Sequence, residues 1–211
     1  LDLTQMRRNY TLAELSETSV DPSPFKQFET WFQEAIDSQI KEPNAMLLAT
    51  CGKDNIPSIR AVLLKLFDEN GFVFFTNYNS DKAKDINENP YVALEFLWLD
   101  LERQIKIIGS AEKVSTAESI RYFLSRSRES QLGAWVSNQS SVINSRQALM
   151  MQVEKMKQKF LNNEIPLPDF WGGYRVKPVK MEFWQGRENR LHDRILYTRH
   201  GDDWIISRLA P

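Results

Sequence analysis

Cysteine is almost missing from this 211-residue chain. Cys51 stands alone, so no intrachain disulfide can form and a packed core has to hold the fold. Histidine is as scarce. His192 and His200 share no metal-ligand spacing with Cys51, which speaks against a structural or catalytic zinc site and leaves Cys51 as a plain strand-end thiol. The 8 glycines never fall into GxGxxG, so a dinucleotide-type phosphate turn is excluded. No apolar run is long enough for a membrane span and no stretch resembles a signal-peptide core; a reducing cytoplasm is the expected compartment. Neither sign of charge predominates. With 27 Lys+Arg against 28 Asp+Glu the formal net charge is -1, and nothing in that balance calls for nucleic acid or another polyanion.

What is present is apolar matter enough for one sizeable core, at 42% hydrophobic residues. Residues 1–20 are polar with scattered apolar positions and read as a loosely held N-terminal arm, and residues 21–211 as one domain. Behind an Asp-Pro start at Asp21, the positions Phe25, Phe28, Phe32, Ile36 and Ile40 recur at helical spacing and predict a core-facing stripe. Strand-like runs follow: AMLLAT (45–50), PSIRAVLLKLF (57–67), FVFFTN (72–77), YVALEFLW (91–98) and RQIKIIGSAEKV (103–114). Between the third and fourth, Ser80 is placed to cap a short helix.

Ser115 and Glu118 form a capping box that opens a helix through Ile120, Phe123 and Leu124. Further helices are expected near Arg128 to Val136 and from about Ser145 to Asn162. A Pro/Gly loop then leads into three more strands, YRVKPVKMEFWQ, RLHDRILYTRH and DDWIISRL. Strands outnumber helices, connections are short and no βαβ repeat appears. The fold class is therefore α+β, with an antiparallel barrel-like sheet and flanking helices.

Several stretches carry chemistry. FWQGRENRLHDR, residues 183–194, reads as a charged hairpin turning at Gly186, Arg187 and Glu188, with strands ending at Trp184 and starting near Leu191. Alternation would send Arg190, His192 and Arg194 to one face, a stripe that repels itself without an anion. In FTNYNSDK a strand runs into a helix N-terminus beside Thr76 and Lys82, which on its own is an ordinary solvated helix start but also suits a phosphate. Arg60 and Lys65, five residues apart, should face opposite sides of one strand unless a bulge intervenes. Tyr122, Arg126 and Ser130 fall at i, i+4 and i+8, so a continuous helix would keep phenol, guanidinium and hydroxyl in one stripe. Trp135, beside the amides and hydroxyls of NQSS, has the mixture of an interface.

Taken together with MRRNY, RAVLLK (60–65), FTN (75–77), LERQ (101–104), YFLSRSRESQLGAWVSNQSS (122–141), FWGGYRV (170–176) and SRLAP, these stretches resemble the pyridoxine (pyridoxamine) 5′-phosphate oxidases, in family order over nearly the whole chain. The resemblance implies a split β-barrel, a homodimer, and FMN as the cofactor of an enzyme that oxidises pyridoxine or pyridoxamine 5′-phosphate with dioxygen, releasing hydrogen peroxide. It implies Arg60 and Lys82 as ligands of the flavin phosphate. The rest of the implied cofactor set is Ala61, Val62, Leu63, Leu64, Lys65, Phe75, Thr76, Gln104, Gln139, Ser140, Trp184 and Arg194.

For the substrate it implies Lys65, Tyr122, Arg126 and Ser130 around the phosphate, Arg190 and His192 as catalytic residues that also bind substrate, and Arg7 and Tyr10 from an arm folded over it. One departure is Asp81, where many family members carry an arginine. A carboxylate near a phosphate is repulsive, so Asp81 is expected to point away. Two other readings use nearly the same scaffold: a phenazine-type FMN oxidase, and a non-catalytic carrier of flavin or pyridoxal phosphate.

Overall fold

The computed structural model describes residues 1–6 and 8–211. The elements run α1 (Pro24–Asp37), β1 (Ala45–Cys51), β2 (Pro57–Leu63), β3 (Leu66–Asp68), β4 (Gly71–Asn77), α2 (Asp81–Glu88), β5 (Tyr91–Trp98), β6 (Arg103–Lys113), α3 (Thr116–Leu124), α4 (Arg128–Val136), α5 (Arg146–Lys159), β7 (Trp171–Gln185), β8 (Asp193–His200) and β9 (Asp203–Arg208). All strand pairs are antiparallel, in the order β2-β1-β5-β6-β7-β4-β3, with β8 on β7 and β9 on β8. This curled antiparallel sheet with flanking helices is the α+β split-barrel architecture the sequence pointed to. Among the described residues no helix is long and apolar enough to cross a membrane.

An aromatic cluster fills the barrel. Phe28 of α1 is fully buried and meets Phe67, Phe72 and Phe96 edge to face at centroid distances of 4.8, 4.9 and 5.1 Å. Full burial of such a ring stabilises the fold by roughly 1.5–3 kcal/mol. The buried stripe of α1 is Phe25, Phe28, Trp31 and Ala35; of the expected positions Phe32 and, past the helix end, Ile40 pack partly buried on the same core, while Ile36 is exposed. A smaller core of Phe123, Leu132, Phe160, Ile165 and Trp171 seats α3 and α4 on the sheet. Trp135, half-buried, packs against it, donating Nε1–H to the Pro166 carbonyl at 2.8 Å and meeting Phe160. The β6–β7 ladder slips one residue at Ile108/Gly109, where a Cβ on Gly109 would lie 2.2 Å from the Lys177 carbonyl oxygen.

Four local expectations give way. PSIRAVLLKLF is two strands, because the backbone changes partners: Leu64 N–H donates to Asn44 O on the β1 side and Lys65 N–H to Val73 O in β4. Tyr122 to Ser130 is not one helix; the chain breaks between α3 and α4, and the Ser127 side chain caps the second. The segment after Gly186 is no hairpin face either. Residues 188–190 form a 3-10 turn with Asn189 and Arg190 at positive φ, and β8 begins only at Asp193, so Arg190, His192 and Arg194 do not share a strand face. The arm is not loose from Tyr10 onward. Leu15 and Val20 are buried, Leu15 N–H donates to Asp193, and Glu14 and Glu17 pair with Arg187 and Arg208.

Candidate active site

A cavity of about 940 Å³ opens between β2, the end of β4, the start of α2 and the α3–α4 junction. It collects Arg60, Lys65, Lys82 and Arg126, four side chains of one sign, against Asp81 at its rim. Arg60 is fixed by a relay across three elements. Its guanidinium donates to Thr50 Oγ1 and Ser58 Oγ, both at 2.6 Å, and to Leu48 O at 3.2 Å; Thr50 in turn donates to Asp85 Oδ2 at 2.6 Å. Lys82 is buried at the start of α2 and held by neutral groups, Thr76 Oγ1 at 3.3 Å and Gln139 Oε1 at 3.2 Å. Burial, then the nearby Arg60 charge, pushes its ammonium below the usual lysine range. Asp81 is turned onto Lys84, 3.0 Å away, while its backbone N–H donates to Ser140 Oγ at 3.2 Å. Asp81 nonetheless lines the same cavity, and its charge supports Arg60 and Lys82.

The second half of the cavity is built where α3 breaks. Tyr122 stacks on Phe75 at a centroid distance of 4.0 Å, and Phe75 on Trp171 at 5.5 Å, so a wall of rings stands beside Arg126. The Arg126 guanidinium lies over Trp171, 4.7 Å from its centroid. Its Nη1 is buried without a hydrogen-bond partner among the described residues, and burial lowers its pKa. A buried guanidinium nitrogen left unmatched carries a desolvation penalty that an anion would relieve. Ser127 and Ser130 hydrogen-bond each other at 3.0 Å beside it. The break in the helix thus does what the continuous stripe was expected to do: Tyr122, Arg126 and Ser130 reach one cavity. Lys65 reaches it as well, since the change of strand partners cancels the strict alternation that would have separated it from Arg60.

A different cluster forms at the other end of β7. Gln104, Trp184 and Arg194 are cross-strand neighbours on β6, β7 and β8. His192 packs on Trp184 at 4.6 Å, and Tyr10 approaches both rings, 5.8 Å from Trp184 and 5.7 Å from His192. His192 Nδ1 accepts the Arg187 N–H at 3.0 Å, which leaves the proton of the neutral ring on Nε2. Burial, then the Arg190 charge, depresses its pKa below 6.5. Arg194 is anchored on buried Glu182 at 2.7 Å and on the Ala210 carbonyl at 2.8 Å; Glu182 also takes Lys106 at 2.5 Å.

Of the residues expected at the site, Arg60, Ala61, Val62, Leu63, Lys65, Phe75, Thr76, Lys82, Tyr122, Arg126, Ser130, Gln139 and Ser140 line the one cavity. Leu64 is buried in the core. Gln104, Trp184, Arg190, His192 and Arg194 do not line that cavity, and Tyr10 goes with them. Arg7 lies outside the described residues. Thr50, Asp85 and Ser127 were missed, because a relay joining residues 35 apart in the chain leaves no local pattern. Glu102 was passed over too, although it is a buried glutamate beside Arg103 in LERQ.

Two family models match the chain. Residues 32–160 match the family model described as pyridoxamine 5′-phosphate oxidase. Residues 171–211 match the one described as the pyridoxine 5′-phosphate oxidase C-terminal dimerisation region. Proteins named pyridoxine/pyridoxamine 5′-phosphate oxidase from Aliarcobacter butzleri and Crocosphaera subtropica are 59% and 62% identical, each comparison covering 100% of both chains. Among solved structures, PhzG from Burkholderia lata 383 in complex with tetrahydrophenazine-1-carboxylic acid superposes with a TM-score of 0.88 at 29% identity, covering 93% of this chain and 98% of that one. A pyridoxamine 5′-phosphate oxidase-related, FMN binding protein from Nostoc punctiforme shares the fold, with a TM-score of 0.72 at 17% identity over 91% of this chain and 100% of that one.

Proposed function

This chain belongs to the pyridoxamine 5′-phosphate oxidase family, and we propose on that premise that it converts pyridoxine or pyridoxamine 5′-phosphate to pyridoxal 5′-phosphate with dioxygen as acceptor, releasing hydrogen peroxide. It is an FMN-dependent oxidase. The reading is carried by the cavity in which Arg60, Lys65, Lys82 and Arg126 converge while buried Arg126 Nη1 has no hydrogen-bond partner among the described residues. Four cations around a polar hollow fit two phosphates better than one. When bound, FMN supplies acceptance of a hydride equivalent from C4′ of the substrate and its passage to dioxygen.

The protein's own task is to bind, orient and manage protons. Arg60, Thr76, Lys82, Gln139 and Ser140 hold the flavin phosphate, with Ala61 to Leu64 and Phe75 alongside and Gln104, Trp184 and Arg194 on the flavin from the other cluster. Lys65, Tyr122, Arg126 and Ser130 hold the substrate's phosphate, and Arg7 and Tyr10 cover it. Arg190 is the clamp that stabilises charge near C4′, and neutral His192 presents Nε2–H at the same place. The active unit is a homodimer in which the 171–211 region of one protomer completes the cavity of its partner. We assign the reaction to vitamin B6 metabolism in the cytoplasm.

A phenazine-type substrate would leave Tyr122, Arg126 and Ser130 without a phosphate to bind, and a carrier would leave Arg190 and His192 without a task. The decisive experiment is the visible spectrum of the FMN-loaded protein mixed anaerobically with pyridoxine 5′-phosphate. Bleaching of the flavin band, reversed by air with formation of hydrogen peroxide, is expected. An unchanged band would reject the oxidase reading.

A further inference from the structure

We propose that Glu102 is the positioning residue that latches residues 8–12 across the Trp184–His192 face and so sets Tyr10 where it meets the substrate, an inference that rests on the oxidase reading above. Glu102 occupies a left-handed turn, φ 55°, between a 3-10 turn at Leu99–Leu101 and β6. Its side chain is only 2% exposed. A carboxylate withdrawn from water so completely has to be met by donors. The donors come mainly from the arm: Oε2 accepts Thr11 N–H at 2.8 Å and Leu12 N–H at 3.1 Å, and Oε1 lies 3.6 Å from the Arg8 guanidinium.

The same residue grips the end of β7 with its backbone. Glu102 O accepts Gly186 N–H at 2.7 Å and Gln185 Nε2–H at 3.3 Å. Tyr10 immediately precedes the two latched amides, and its ring stands edge-on to Trp184 and His192. The fit is close: a Cβ on Gly186 would fall 2.7 Å from Tyr10 Cγ and 3.1 Å from Glu102 Cβ. Further along, the arm has separate anchors at Leu15, bonded to Asp193, and at Glu17, paired with Arg208. Loss of the Glu102 contacts would therefore free the segment around Tyr10 without detaching the rest of the arm. Two amide bonds to one carboxylate also set the arm's register, because Thr11 and Leu12 must both point their N–H groups at Oε2.

The test uses the full-length, FMN-loaded protein and the variants Glu102→Ala, Glu102→Gln, Tyr10→Ala and Glu102→Ala with Tyr10→Ala. We expect Glu102→Ala to lower kcat/KM for pyridoxine 5′-phosphate about tenfold, mainly through KM, with FMN affinity unchanged. Limited proteolysis should cut within residues 8–14 faster than in the wild type. Glu102→Gln, whose Oε1 still accepts an amide N–H, should recover part of the loss. The double variant should be no worse than Tyr10→Ala alone, since both act through one ring.

Losses that multiply in the double variant, or unchanged proteolysis of the arm, overturn the latch; so does loss of FMN in Glu102→Ala. If Glu102→Ala does not fold, Gly186→Ala replaces it, because the added methyl would crowd Tyr10 at 2.7 Å and Glu102 at 3.1 Å. Faster cleavage of the arm together with a raised KM supports the proposal, and wild-type behaviour of Gly186→Ala rejects it. Wild-type protein that fails to turn over pyridoxine 5′-phosphate rejects the oxidase reading instead, and the proteolysis rates then decide the latch alone.

Discussion

At the scale of single residues, the proposed division of the cavity into two anion sites can be tested one side chain at a time. Arg126→Ala should raise KM for pyridoxine 5′-phosphate, because losing a charge-assisted phosphate contact costs roughly 1.5–3 kcal/mol, about one to two decades in kcat/KM. Lys82→Ala should do the reverse, weakening FMN retention with little change in KM once flavin is in excess. Steady-state kinetics with saturating FMN, run beside flavin fluorescence titrations, check both; an Arg126→Ala protein that sheds flavin and keeps its KM would show that the two roles are misassigned. His192 gives a pH prediction with a definite sign. Its folded pKa is depressed, so on acidification the unfolded chain takes up the proton first. The stability it contributes is full above about pH 6.5, its ordinary value, and is lost as pH falls through the lower folded value. Melting temperatures of wild type and His192→Gln should therefore converge on acidification below pH 6.5. Lys65 stood out in the sequence as a lysine in an apolar run and Arg126 as a member of an i, i+4, i+8 set, while the rest of the proposed site was carried by the family resemblance. Thr50, Asp85 and Glu102 were not legible, since each is an ordinary polar residue whose meaning lies in a partner far along the chain.

Elements were legible wherever the signal is local. The capping box at Ser115 and Glu118 is present with both of its hydrogen bonds, and α4 spans Arg128–Val136 as read from the sequence. Failures fall where a strand or helix is ended by a contact from elsewhere. The β2–β3 break exists because Leu64 and Lys65 bond to two different neighbours, and no periodicity within RAVLLK encodes that. This same break brings Arg60 and Lys65 into one cavity, so the misread stretch is the one with a functional reason to be irregular. The element-level prediction concerns the relay from α2 through β1 to β2. Thr50→Val keeps the volume but removes the hydroxyl that stands between Asp85 and Arg60. With Arg60 less firmly aimed, FMN affinity should fall about threefold to tenfold, the worth of one net hydrogen bond, while KM with saturating FMN stays put. Equilibrium titration of the apoprotein with FMN measures it, and unchanged affinity would mean that Ser58 and the Leu48 carbonyl orient Arg60 unaided.

For the whole molecule the question is whether two clusters form one site. Trp171 lines the cavity and Trp184 packs on His192, yet both belong to β7, thirteen residues apart. At about 3.3 Å of rise per residue they are separated by on the order of 40 Å of strand, more than a small ligand spans. Next to the cavity, Ile56, Ile59, Leu63 and Leu66 stand exposed along and beside β2, an apolar strip of the kind a second protomer covers. The C-terminal match to a dimerisation region starts at the same Trp171. These observations support a site assembled from the cavity of one protomer and the Trp184–Arg194 region of the other, and mixing two crippled proteins tests it. Arg126→Ala damages the cavity and leaves the turn intact; Arg190→Ala does the opposite. In a mixed dimer with shared sites, one site receives both lesions and the other neither. Random reassortment makes about half the dimers mixed, each with one intact site of two, so activity should recover to about a quarter of wild type. If each protomer builds its own site, every site in every dimer carries one lesion, and the mixture should be no more active than the average of its two components.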